Sequence, residues 1–538
     1  MAERSSSAGS LQPRTESIAG NDEPQYLSHQ QIVVVLFGLM AGVMLAALDQ
    51  SIVGTALPRI VSELGGLDQL AWVVTAYLLT ATAATPLWGK ISDLYGRRPI
   101  FQAAIIIFLI GSVLCGLSQN LPQLIAFRAI QGIGGGGLMA IAFSVIGDII
   151  PPRERGRYQG YFGAVFGVSS VAGPLLGGWF TDGLGWRWIF YINLPVGIAA
   201  LVITSMALTA PTVRREHTID YLGAAVIVAG VSSLLLYLNW AGPELGWFAF
   251  GSLALLIAAV TLTVLFVVVE QRAAEPIIPL RLFQNTVFAI GNLYGFLAGV
   301  AMFGAIIFLP FYLQAVMGMS PTASGLAMLP AVIGILTTSI VSGRLISRTG
   351  RYKIYPILGA AILVVALLML SRLRVDTPFW QVALFELAFG AGLGMTMQTI
   401  VTAVQNAVEH RDLGAATSAT TFFRQMGGTI GAAVFGAILA NRLSVHLTEQ
   451  LGAAASTAQN GGAINANNLQ AIQALPEPIK TSVLTAFTYA LDDVFLFGVP
   501  VVALALVVAL FMKEVPLRMT RRQPAAESAP TEALSAGL

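Results

Sequence analysis

Charged side chains are scarce in this chain. Asp, Glu, Lys and Arg make up 10% of its 538 residues against 56% hydrophobic ones, whereas an ordinary soluble domain carries about 25% charged residues. So few charges cannot clothe a water-exposed surface, which excludes a soluble globular protein and points to a bilayer. Cysteine is nearly missing. Cys115 stands alone, so neither an intramolecular disulfide nor a cysteine-based metal cluster can form, and it reads as a small apolar packing residue. The four histidines, His29, His217, His410 and His446, are scattered near the ends of apolar stretches, and no metal site is expected from them. A net charge of +2 without a continuous basic patch argues against nucleic acid as a partner. Catalytic motifs are missing as well. Gly89-Lys90 has neither the upstream glycine nor the following Ser or Thr of a phosphate-binding loop, and no His-Glu-x-x-His or Gly-x-Ser-x-Gly occurs. An ATP-driven pump and a membrane hydrolase are therefore disfavoured. The chain is expected to be no enzyme and to need no cofactor.

Long apolar runs are abundant. A helix crossing a bilayer needs about 20 apolar residues, and such stretches fall near 31–57, 70–88, 99–118, 123–147, 157–180 and 188–209. Two more lie near 220–240 and 248–269, and six follow near 284–315, 323–346, 354–373, 378–401, 415–440 and 486–512. The expectation is an all-α integral membrane protein with fourteen transmembrane helices. Lys and Arg accumulate in short cytoplasmic loops. With both termini cytoplasmic, 21 of the 29 basic residues fall inside, six fall outside, and Arg128 and Arg424 lie within spans. Removing one span would invert everything downstream and spoil that bias. Polar composition predicts disordered cytoplasmic tails at 1–29 and 514–538. The first tail lacks the pattern of a cleaved signal, so the first apolar run is expected to be a retained span.

The chain also repeats itself. Gly89-Lys90-Ile91-Ser92-Asp93-Leu94-Tyr95-Gly96-Arg97-Arg98 has its skeleton echoed 254 residues later in Gly343-Arg344-Leu345-Ile346-Ser347-Arg348-Thr349-Gly350-Arg351. Ser347 replaces Asp93, so only the first copy brings a carboxylate. The first copy follows span 2 and the second follows span 10, which places two added spans between equal halves. The expected organisation is an N-terminal six-helix bundle at 30–210, two linker helices at 211–275, and a C-terminal six-helix bundle at 276–513 with an outer loop at 441–485. That loop is either a lid or a tolerated insertion. A cleft between repeated bundles suits alternating access, because rocking one bundle against the other opens a midplane site to either side.

Five stretches carry a family likeness. They are the Gly89–Arg98 loop; Leu48-Asp49-Gln50-Ser51-Ile52-Val53-Gly54-Thr55-Ala56-Leu57-Pro58; Arg128-Ala129-Ile130-Gln131-Gly132; Gly167, Gly173, Pro174, Gly177 and Gly178 in span 5; and Trp186-Arg187-Trp188-Ile189-Phe190-Tyr191-Ile192-Asn193-Leu194-Pro195. In this order they resemble the fourteen-span drug:proton antiporters of the major facilitator superfamily, of the multidrug efflux type. Gly54 departs from the Asn common in that branch. The resemblance covers nearly the whole chain. It implies proton-coupled secondary export of lipophilic or cationic small molecules and antibiotic resistance, in a bacterial inner membrane. A monomer is expected, with the substrate, protons and the lipid bilayer as its partners. A lipid or metabolite exporter is the alternative, and a channel a more distant one. The cavity lining and the substrate itself are not legible from one sequence.

The resemblance links the span 4 motif to proton coupling and the span 5 motif to export; the residues also have readings of their own. Asp49 lies in the outer half of span 1, where a charge costs roughly 2.5–3.5 kcal/mol on insertion scales, and Arg128 enters span 4 to a similar depth. An Asp49–Arg128 interaction is expected, and protonating Asp49 would weaken it and bias the helices. A permanently ionised structural pair is the alternative. Arg424 is a second buried cation, in span 13, with no partner identifiable; the resemblance suggests coupling or gating, and bonding to backbone carbonyls is the plain alternative. Glu386, flanked by Phe385 and Phe389 in span 12, could hold a proton or attract a cation, or could face a watery vestibule. Gly163, Gly167, Gly173 and Gly177 permit close contact of span 5 with its neighbours, and Pro174 can bend it to seal the cleft; generic packing is the alternative. By resemblance Gly89, Asp93, Gly96, Arg97 and Arg98 form a cytoplasmic gate in which Asp93 and Arg97 act as a latch, whereas Arg98 is explained equally well by topology.

Overall fold

A computed structural model describes residues 29–64, 70–207, 220–241, 246–451, 476–477 and 479–517. Backbone groups in hydrocarbon must satisfy one another, which leaves helices as the natural solution for apolar runs. The described residues contain helices and turns and no strand. In chain order the helices are α1 His29–Leu64, α2 Leu70–Tyr95, α3 Arg97–Leu117, α4 Leu121–Ile149, α5 Pro152–Asp182, α6 Trp188–Tyr191, α7 Asn193–Ala207, α8 Tyr221–Trp240 and α9 Phe250–Arg272. After a short 3₁₀ turn come α10 Thr286–Ala315, α11 Pro321–Ala327, α12 Leu329–Thr349, α13 Ile354–Leu370, α14 Phe379–Ala407, α15 Leu413–Leu451 and α16 Ile479–Leu510. A helix stands at each of the fourteen predicted places. Twelve of the spans are long and apolar enough to cross a membrane by length and composition, and α13 is apolar but shorter. The protein is a multi-pass membrane protein.

Polar side chains mark several helix starts. Asn120 accepts from the Gln123 amide at 2.9 Å at the head of α4, Asp220 from Gly223 at 2.8 Å before α8, and Asn285 from Val287 at 2.9 Å before α10, each satisfying a donor the helix leaves open. Some boundaries differ from expectation. Span 6 is broken at Ile192 into α6 and α7, and span 10 at Met328 into α11 and α12, where Pro330 starts the second piece. Helix α15 runs on to Leu451 and α16 begins at Ile479. The expected loop at 441–485 is thus partly helical at both ends, because a helix can outrun the hydrocarbon once its ladder is formed; its residues 452–475 lie outside the described ones. The start of the expected disordered C-terminal tail is packed as well. The Tyr352 hydroxyl donates to the Lys513 carbonyl at 3.2 Å and accepts from the Val515 amide at 3.0 Å, which anchors that stretch as far as Leu517, 8% exposed. The tail at 1–28, the rest of the second tail, and His217 lie outside the described residues.

Helices α1 to α7 pack together around two apolar clusters, one with Val35, Leu39, Phe101, Phe108, Phe143 and Phe162 and one with Ile52, Cys115, Trp186 and Phe190. Helices α10 to α16 form a core of their own, and α8 and α9 join it through Val226, Ile227, Val231, Leu235 and Phe266. Helix α8 also reaches α2 and α15, so the inserted pair lies beside one seam between the halves. The seams themselves are α2 with α15 and α5 with α12. Span 2 corresponds to span 10 in the repeat, and span 5 to span 13, so each half contributes the same two elements.

Candidate functional site

Three groups of polar residues occupy an otherwise apolar interior. The first surrounds Asp49, which is fully buried. Its Oδ2 accepts from Arg128 Nη1 at 2.5 Å, and its Oδ1 from Gln131 Nε2 at 2.8 Å and Asn193 Nδ2 at 3.2 Å. Arg128 also donates to the Val73 carbonyl at 3.1 Å and to Gln131 Oε1 at 2.8 Å, and its guanidinium lies 4.3 Å from the centre of the Tyr77 ring. Ser112 accepts from both Gln131 and Asn193 at 2.8 Å. Helix α4 places Arg128 and Gln131 one turn apart on one face, while α1, α3 and α7 bring Asp49, Ser112 and Asn193 to it. The expected Asp49–Arg128 contact exists. Every participant is buried inside the N-terminal half, and three donors hold the carboxylate.

The second group closes one end of the molecule. Arg97 pairs with Asp93 at 2.5 Å and with Asp148 at 2.6 Å, and donates to Ser92 Oγ at 2.6 Å. Asp93 Oδ2 then accepts from the Ala415 amide at 2.9 Å across the α2–α15 seam, so the N-terminus of α15 docks on a carboxylate, as helix N-termini favour. Gly96 turns the chain with φ of 92°, a backbone shape that favours glycine. Gly89 lies so close to Ser418 and the Gly414 carbonyl that a Cβ would not fit. Arg98 makes no side-chain hydrogen bond or ion pair among the described residues. In the second copy Gly343 packs against the backbone of Gly156 in α5. There the carboxylate is replaced by helix-end carbonyls: Arg153 of α5 donates to Ser347 O at 3.0 Å and to Arg348 O at 2.9 Å.

Between these latches lies a belt of glutamines that the sequence reading did not single out. Gln159 Nε2 donates to Gln405 Oε1 at 3.0 Å, Thr402 Oγ1 donates to Gln159 Oε1 at 2.6 Å, and Gln405 Nε2 donates to the Phe143 carbonyl at 2.8 Å. Each bond joins the two halves. Gln398, Thr402 and Gln405 recur at helical spacing on α14, a polar stripe in an apolar span that could have flagged them. Gln131 and Asn193 were inside the quoted motifs, but nothing in sequence spacing told that they share a carboxylate. Asp148 carried no signal of its own.

The third group belongs to the C-terminal half. Glu386 is fully buried, and neither carboxylate oxygen has a hydrogen-bond partner among the described residues. It is packed rather than exposed to a vestibule, and Phe389 beside it is 2% exposed. Arg424 lines a cavity of about 20 Å³ with Tyr294, Met302, Leu393, Thr396 and Met397, room for roughly one water. Its guanidinium lies 6.0 Å from the centre of the Phe143 ring in the opposite half, and no backbone carbonyl is bonded to it among the described residues. Leu393 and Met397 share a face of α14 with Glu386, which stands about two turns away from the cavity.

Repeated halves meeting along two corresponding seams agree with what sequence comparison finds. The sequence profile of the Major Facilitator Superfamily matches residues 39–432. The chain belongs to this superfamily. It is 38% identical over 506 residues to the multidrug transporter protein MdtP of Bacillus subtilis, with 90% of this chain and 93% of that protein covered. It is 35% identical over 492 residues to multidrug resistance protein 3 of the same organism, with 90% and 96% covered. An uncharacterized MFS-type transporter of Mycobacterium tuberculosis is 42% identical over 512 residues, with 95% of this chain and 74% of that protein covered. Among solved structures, the proton:xylose symporter XylE superposes with a TM-score of 0.58 at 14% identity, covering 90% of this chain and 96% of that one; this is a likeness of fold. The chain is a transporter of this superfamily with relatives named as multidrug transporters, and not an enzyme.

Within this superfamily member, the span 5 glycines divide between two neighbours. Gly173 and Gly177 pack against Ser51 and Thr55 of α1, inside one half, and the Ser51 hydroxyl donates to the Ser169 carbonyl at 2.8 Å. Gly167 and Pro174 instead face Val332 and Gly325 of the other half. Gly173 and Gly177 thus form an internal joint of the N-terminal half, and Gly167 with Pro174 meets the partner half.

Proposed function

We propose that this protein exports lipophilic or cationic small molecules from a bacterial cell in exchange for protons, as a monomer working by alternating access. Both termini are cytoplasmic in this reading, and fourteen spans cross the inner membrane. The observation that carries it is the concentration of cross-half hydrogen bonds at one end, beside a deeper one from Thr85 to Gln425 at 3.2 Å. Asp93 with Ala415, Arg153 with Ser347 and Arg348, and Gln159 with Thr402 and Gln405 all lie at the end that carries the Gly89–Arg98 turn. Basic-residue topology assigns that end to the cytoplasmic side, and these bonds support a cycle in which the cytoplasmic end is held closed while the outer one opens. Such a belt can part as one discrete event and reform, which a rocking mechanism needs.

For the proton, the surroundings of the two carboxyls favour Glu386. Asp49 is held by Arg128, Gln131 and Asn193, and it braces α1 against α4 and α7. No fixed partner among the described residues compensates Glu386, so its charge state is free to follow the conformational cycle. Arg424, facing Phe143 across the cleft, senses whether the halves are together. The efflux relatives support the substrate class. Cells expressing the protein should hold less of a fluorescent lipophilic cation than cells without it, and a protonophore should abolish the difference. Equal dye content in expressing and control cells across a panel of lipophilic cations and neutral drugs would contradict this reading.

A further inference from the structure

A groove of about 500 Å³ opens where α15, α16 and the α8–α9 connection meet. Arg442 and Asn441 stand at its upper end, Val434 and Ile438 run down one wall, and Trp247 and Phe497 flank it. Its depth can be read from packing. Gly498 of α16 lies beside both Phe435 of α15 and Leu367, near the end of α13. Arg442 is seven residues beyond Phe435, about 10 Å at 1.5 Å per residue, which lifts it to the level of the polar turn after α13. Arg442 therefore stands at the membrane surface, with Val434 below it in the hydrocarbon. The wall is bare: Val434 is 38% and Phe497 44% exposed, on helices that face lipid.

The charges at the upper end narrow the occupant. Arg442 Nε lies 3.5 Å from Asp493 Oδ2, its side chain is 40% exposed, and its guanidinium stacks 5.7 Å from the centre of the Phe497 ring. Asp493 also meets His446 Nε2 at 2.9 Å, and His446 Nδ1 meets Glu449 at 3.0 Å. Asp493 and Glu449 thus stand beside Arg442 with His446 bridging the two carboxylates, a cluster that carries both signs of charge. A lipid with a net negative charge would set its phosphate at Arg442 while adding charge beside Asp493 and Glu449, which repel it. A headgroup with phosphate and a primary ammonium offers one partner to each sign.

We propose that this groove binds a phosphatidylethanolamine-type phospholipid, with its phosphate on Arg442 and Asn441, its ammonium toward Asp493 and Glu449, and an acyl chain along Val434, Ile438 and Phe497. A choline headgroup, which has no N–H to donate, fits this pairing less well. The lipid would join the inserted α8–α9 pair to the C-terminal half at the surface opposite the Gly89–Arg98 turn. The inference does not depend on which substrate is exported or on proton coupling.

Native mass spectrometry of the purified full chain, titrated with equal amounts of phosphatidylethanolamine, phosphatidylcholine and phosphatidylglycerol of identical acyl chains, tests it. The ethanolamine lipid should be retained preferentially. Arg442→Gln, which removes the phosphate partner, and Val434→Trp, which fills the exposed wall, should each lower its retention roughly tenfold, with melting temperatures in detergent unchanged. Asp493→Asn should erase the preference over phosphatidylglycerol. Equal retention of all three lipids, a preference for phosphatidylglycerol in the unmodified protein, or undiminished retention by both Arg442→Gln and Val434→Trp would overturn the proposal and leave the groove to another occupant such as a second copy of the chain.

Discussion

Asp49 and Glu386 are both acidic side chains in the membrane interior, and their surroundings differ. Asp49 has a guanidinium and two carboxamides, whereas Glu386 has no hydrogen-bond partner among the described residues. Removing one member of a buried ion pair leaves the other uncompensated, at a cost of about 3–5 kcal/mol. Arg128→Leu should therefore lower the melting temperature and yield of folded protein sharply, and the double variant Arg128→Leu with Asp49→Leu should recover much of the loss. Circular dichroism melts in detergent check this; a single variant as stable as the parent would remove the brace. The Asp49–Arg128 pair was legible from sequence because two charges in two spans lie at matching depth. Its sealed character was not, because that depends on Gln131, Asn193 and Ser112 arriving from three helices. The apolar packing around Glu386 was equally hidden, since periodicity reports spacing and not the rotation of a helix toward its neighbours.

At the level of helices, the repeated glycines are contacts and not flexible points. Gly89 admits α15, and Gly343 admits α5, so the sequence echo reports two equivalent seams. Ser347 in place of Asp93 leaves the second copy without a carboxylate; the structure supplies an acceptor from helix-end carbonyls that receive Arg153. Side-chain chemistry alone does not reveal a backbone acceptor. The joints of α5 show the same limit: four-residue glycine spacing announced close packing, yet the partner of Gly173 is α1 and that of Gly167 is α12. A β-branched side chain at Gly89 should hold the α2–α15 seam apart. In a Cys115→Ser background, Thr402→Cys, buried in the glutamine belt, should react faster with a water-soluble thiol reagent once Gly89→Val is added. Unchanged reactivity would mean that closing this end does not depend on the Gly89 approach.

For the whole molecule, the scarcity of charge and the length of the apolar runs were enough to anticipate the helices and their order, because hydrocarbon leaves a chain few alternatives. The breaks at Ile192 and Met328 and the extension of α15 to Leu451 escaped, since an apolar run reads the same whether its helix is continuous or jointed. The account as a whole rests on a conformational cycle that links opening of the glutamine belt to the proton on Glu386. The direct measurement uses purified protein in sealed liposomes with a lipophilic cation outside and an imposed pH gradient, acidic within. The unmodified protein should concentrate the cation inside above its outer level while protons leave, and Glu386→Gln should carry it only to equality, whatever the gradient. Accumulation by Glu386→Gln equal to that of the unmodified protein, or transport by the unmodified protein indifferent to the gradient, would contradict the account.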